Sequence, residues 1–78
     1  MNNETKNRLE KMLNTAIWKN YYAQQITSNS IESLERNCTA NKKNGRPTKK
    51  MEGLLAKLNR QQTRANVLQI DLEELKNI

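Results

Sequence analysis

Met51–Leu75, MEGLLAKLNRQQTRANVLQIDLEEL, is the stretch that decides the fold. Along it Met51, Leu54, Leu58, Gln61, Ala65, Leu68, Leu72 and Leu75 advance by alternating steps of three and four. A step averaging 3.5 residues returns to the same side of a helix at every turn, so the pattern predicts a coiled-coil seam. Leu55 and Gln62 widen that stripe, and Gln61 is a polar seam position of the kind that sets register. Gly53 carries a mild helix penalty of about 1 kcal/mol. The expected helix runs over about 48–77, with Thr48 as its N-cap and Glu52 in the first turns.

Upstream lies a break. Thr39–Thr48, TANKKNGRPT, has no apolar periodicity. Asn44-Gly45 is a turn signal, and Pro47 disfavours helix at Arg46. Before that break, no Gly or Pro interrupts residues 1–44. Leu9, Met12, Leu13, Ala16, Ala23, Ile31, Leu34 and Cys38 share one side of a helical wheel, with Ile17 at its edge. Asn2 or Asn3 can cap the start, and Glu4 suits the first turn. A helix over about 4–38 follows, with the loop at 39–48. Thr27–Ser30, TSNS, is rich in residues that disfavour helix interiors. Asn29 with Glu32 would make a capping box. Both a continuous helix and one broken there stay open. Residues 1–78 thus read as one all-α domain, an antiparallel two-helix hairpin assembling as a dimeric helical bundle.

Composition bounds the function. The apolar fraction is 35%, there is no Phe, and mean hydropathy is −1.02. A chain of 78 residues with so little apolar matter builds a marginal core alone. Self-association or a bound partner is the natural remedy. One cysteine permits no internal disulfide, and with no histidine a protein-only zinc site is excluded. Cys38 has no histidine to activate it and reads as a small buried residue. No dinucleotide or phosphate-loop motif is present. The expectation is a non-enzyme with no cofactor and no catalytic or metal residues. No apolar run reaches the roughly 20 residues of a membrane span, and the polar N-terminus does not resemble a signal peptide. No membrane partner and a cytoplasmic location are expected. Abundant Asn and Lys suggest an AT-rich genome, that of a low-GC bacterium or its phage, and a phage or mobile-element setting is the expectation that goes with it.

Charge points to the partner. Between Lys42 and Arg64 stand eight basic residues, Lys42, Lys43, Arg46, Lys49, Lys50, Lys57, Arg60 and Arg64, against one acid, Glu52. The whole chain is only +6, so the remainder is slightly negative. Lys57, Arg60 and Arg64 share one helical face with Lys50 further back, so the loop cluster leads into a basic ridge. Such a track suits a phosphate backbone, whose neutralised charges release counterions. These eight residues are the candidate nucleic-acid contacts, and DNA is expected as the partner rather than RNA. Asp71, Glu73 and Glu74 make the far end of the second helix acidic. An antiparallel hairpin would bring them near Lys6, Arg8 and Lys11.

Gly45-Arg46-Pro47, flanked by Lys42, Lys43, Lys49 and Lys50, resembles an AT-hook. The resemblance covers about nine residues. It implies an arginine entering the narrow minor groove of AT-rich DNA while flanking cations hold phosphates. Where that family places an arginine before the glycine, this chain has Asn44. A similar Gly-Arg-Pro-Thr-Lys run occurs near the start of some phage small-terminase subunits.

A second surface supports a different reading. Trp18, Tyr22 and Ile26 lie at i, i+4 and i+8 on the side away from the Leu9/Leu13 stripe, with Tyr21 beside them. The row can pack on another subunit. Alternatively, it can dock a partner, making the protein an adaptor or a phage-encoded inhibitor of a host protein or nucleoprotein complex.

Overall fold

The computed structural model describes residues 2–78 and is an all-α helical hairpin. Helix α1 spans Asn3–Lys43 and helix α2 spans Lys49–Lys76. They pack antiparallel into a rod of 64 × 15 × 14 Å. Among the described residues there are no strands, and no helix is long and apolar enough to cross a membrane.

Asn2 starts α1 as its sequence suggests: its Oδ1 accepts from the Thr5 backbone N–H at 2.8 Å. The helix then runs through Thr27–Ser30 without a break. Two of those four residues are used by the fold. Thr27 is buried against α2, and the Ser28 hydroxyl accepts from Gln62 Nε2 at 3.3 Å. The helix also ends five residues later than the apolar stripe indicates, at Lys43, so the link shrinks to residues 44–48.

Its end has a specific cause. Gly45 sits at φ +70°, in the left-handed region where a Cβ is disfavoured. From there Gly45 N–H donates to the Lys42 carbonyl at 3.2 Å and Arg46 N–H to the Asn41 carbonyl at 2.8 Å. This pair of bonds is a Schellman motif, which satisfies carbonyls the helix would leave open, and Pro47 follows to stop continuation. Thr48 occupies the N-cap of α2 but makes no side-chain capping bond. Its carbonyl instead accepts from Glu52 N–H at 2.9 Å.

The seam departs from the expected one by half. On α2 the partly buried residues are Met51, Leu55, Leu58, Gln62, Ala65, Gln69 and Leu72. Met51, Leu58, Ala65 and Leu72 belong to the predicted stripe, whereas Leu54, Gln61, Leu68 and Leu75 lie outside it, exposed. On α1 the inward line is Leu13, Ile17, Asn20, Gln24, Thr27, Ile31, Leu34, Cys38 and Asn41, again in steps of three and four. Leu9, Met12 and Ala23 fall outside it.

Polar satisfaction explains the shift. Asn20 Nδ2 donates to Gln69 Oε1 at 3.0 Å and to the Ala65 carbonyl at 2.8 Å. Gln24 Nε2 donates to the same Gln69 oxygen at 3.2 Å, and Gln69 Nε2 passes on to Glu73 at 3.2 Å. With Leu68 in place of Gln69 at the seam, those donors would face hydrocarbon, and an unmet buried donor costs about 1–3 kcal/mol. The leucines are therefore displaced to a flank.

The resulting core is thin. Among the described residues Cys38 is the one buried apolar residue, as a free thiol, and no large side chain is wholly enclosed.

Candidate nucleic-acid interface

The hairpin's bend gathers five cations. Lys42 and Lys43 fall in the last turn of α1, Arg46 in the link, and Lys49 and Lys50 in the first turn of α2. Basic residues at a helix C-terminus are favoured by its dipole, which accounts for the first two locally. Lys50, Lys57 and Arg64 are seven residues apart and line the outer face of α2, with Arg60 between the last two. At 1.5 Å rise per residue this ridge is about 21 Å long. Asn59 and Thr63 share a shallow surface groove with Arg60 and Arg64, adding neutral hydrogen-bonding groups beside the two guanidinium groups.

All eight of these cations are exposed. Among the described residues the one ion pair is Lys42 Nζ to Glu52 Oε1 at 2.9 Å, with both side chains half or more in solvent. The hydrogen bond to Glu52, and then its charge, hold the Lys42 ammonium above its ordinary pKa of 10.5. Lys42 is thus engaged by a carboxylate at the bend, while the other seven make no ion pair among the described residues.

The expected pairing of Lys6, Arg8 and Lys11 with Asp71, Glu73 and Glu74 does not form. The lengths explain it: α1 has 41 residues and α2 has 28. In the register that sets Asn20 on Gln69, α2 ends level with the Leu13 turn, where Lys76 borders a groove with Glu10, Leu13 and Asn14. The first turns of α1 extend beyond it.

The aromatic row is on the outside of α1. Trp18 is 70% exposed, Tyr22 68%, Ile26 55% and Tyr21 49%. Trp18 and Tyr21 meet edge to face, with centroids 6.1 Å apart at 83°. Beside them Ile17, Gln69 and Glu73 complete a small groove.

A further surface was not singled out from the pattern. Leu54, Gln61, Leu68 and Leu75 form an exposed line along one flank of α2. Its signal was present, since these are the four residues assigned to the seam that the seam does not take. Comparisons with protein-family models, with curated proteins and with solved structures find no match.

Proposed function

We propose that this chain is a small nucleic-acid-binding protein, directed mainly at phosphate, with DNA the expected partner. The observation that carries the reading is the charge at and beyond the bend: five cations at the bend and three more along α2, all exposed, with only Lys42 engaged by a carboxylate among the described residues. Exposed, unpaired lysines and arginines neutralise phosphates at the least desolvation cost. Arg46 could enter a minor groove in the manner of an AT-hook only if the Gly45 cap opened, because its backbone N–H is held by Asn41. Phosphate contact needs no such change, so contacts that position the chain without reading sequence are favoured. The Asn- and Lys-rich composition fits a phage or mobile-element setting, and a cytoplasmic location belongs to the same reading.

The test is duplex binding by fluorescence anisotropy. The double variant Arg46→Ala with Lys49→Ala should bind measurably more weakly than the parent. Parent protein that does not bind at about 50 mM salt and micromolar concentration removes the proposal, since phosphate contacts are strongest at low salt.

A second reading has its own observation. Trp18, Tyr21, Tyr22 and Ile26 form a continuous exposed apolar row, and aromatic residues dominate binding hot spots. In that reading the protein is an adaptor or inhibitor docked through this face. Trp18→Ala would abolish docking and leave duplex binding unchanged.

A further inference from the structure

We infer that a second copy of this chain seats on the flank formed by Leu54, Leu68 and Leu75 of α2 and the small residues beside them on α1. The inference is independent of what the basic bend binds.

The first argument is area. The chain exposes 6583 Å² at a mass of 9.1 kDa. A compact monomer of that mass exposes about 4,900 Å². The excess is larger than the roughly 800 Å² per partner that a standard interface buries. Leu54, Leu68 and Leu75 are each about half exposed, at 49%, 48% and 56%.

The second argument is shape. The antiparallel register that sets Ser28 on Gln62 and Asn20 on Gln69 puts Leu75 near the level of Ala16, Leu68 near Ala23 and Gln61 near Ser30. Residues 16, 23 and 30 repeat every seven positions, as do 61, 68 and 75, so each set keeps to one flank. That both sets share the same flank is visible nearer the bend, where Ser30 and Asn37 line one groove with Leu54 and Leu58. One rail carries leucines and the other alanine and serine. Such a surface is complementary to itself: turned about a two-fold axis parallel to the rod, the leucine rail of one copy lies on the small-residue rail of the other. Every neighbouring helix pair in the resulting four-helix bundle is antiparallel.

The third argument is charge. Asp71 continues the column of Lys50, Lys57 and Arg64, which borders this flank, and it stands level with Lys19 on α1, so this two-fold axis sets Lys19 of one copy beside Asp71 of the other. The same axis puts both bends at one end, doubling the cationic surface there.

Light scattering at 10–100 µM should return twice the chain mass, and Leu68→Glu should weaken the dimer at least tenfold while Trp18→Ala leaves it unchanged. A monomer at 100 µM overturns the inference, as does a dimer lost on Trp18→Ala and kept on Leu68→Glu. Because Leu68→Glu could unfold a chain stabilised by its partner, the flank is kept intact in a second measurement. Spin labels at Asn44→Cys in a Cys38→Ser background should lie within about 30 Å of each other, the width of a four-helix bundle tip plus two label arms. A separation above about 45 Å, which puts the bends at opposite ends at 1.5 Å per residue, overturns the arrangement.

Discussion

The Arg46 backbone N–H reaches back across Gly45 to the Asn41 carbonyl at 2.8 Å, and that bond ends α1. It requires Gly45 at φ +70°, while the space around its missing Cβ is empty within 4 Å. Replacement by alanine therefore meets backbone strain and no clash. Gly45→Ala should lower stability by about 1–2 kcal/mol, the left-handed penalty for an L-residue. Gly45→Asn should lose less, since Asn tolerates that region. Urea unfolding checks both, and an alanine variant as stable as the parent would refute the capping role.

Gly53 makes the opposite prediction. It lies inside α2 with nothing within 4 Å of a built Cβ and no positive φ. Nothing in the packing demands glycine there. Gly53→Ala should raise stability by about 1 kcal/mol through helix propensity alone. A drop in the thermal midpoint would contradict this reading of Gly53.

Gln69 is the hub of the polar layer, accepting from Asn20 and Gln24. Gln69→Leu should destabilise by about 1 kcal/mol or more, because Gln24 loses its acceptor. Changing Asn20, Gln24 and Gln69 together to Leu should recover most of that loss, since no polar group is then stranded. A triple variant worse than the single one would show that the layer contributes more than mutual satisfaction.

These polar residues also mark how far the sequence could be read. Met51, Leu58, Ala65 and Leu72 are common to the predicted and observed seams, and they suffice for a helical hairpin. The alternate positions were ambiguous because leucine at 54, 68 and 75 outranks glutamine at 62 and 69 in any apolar count. The donors that Asn20 and Gln24 bring from α1, unpaired in sequence, decide for Gln69; Gln62 follows in the same register, meeting Ser28 through its Nε2 while its Oε1 is buried without a partner. Likewise Thr27–Ser30 looks like a break until Thr27 is buried by α2 and Ser28 meets Gln62. The exposure of the Trp18 row was legible, since a single partner helix covers a single stripe. That Lys42 is engaged by Glu52 was not, because it depends on where α1 stops.

Lys42 and Glu52 give a pH-dependent prediction. The folded-state pKa of Lys42 is raised, with the hydrogen bond to Glu52 the leading cause. A raised pKa means the pair's contribution is fully present below the ordinary lysine value of 10.5 and fades as pH climbs through the folded value. Glu52→Gln should therefore lower the thermal midpoint slightly at neutral pH, with the gap closing at strongly alkaline pH. It should also tighten duplex binding, because Lys42 is released toward phosphate. Weaker binding by Glu52→Gln would speak against Lys42 as a contact.

The claim on which the account turns is that the cations at and beyond the bend act together on phosphate, and the salt dependence of duplex affinity measures it most directly. Each neutralised phosphate contributes about −0.9 to the slope of log K against log salt, so four to seven contacts predict a slope between about −4 and −6. Arg46→Ala with Lys49→Ala should bring that slope toward zero by nearly two. A parent slope shallower than about −1, or one unmoved by the double variant, would contradict the assignment of this surface to a nucleic-acid backbone.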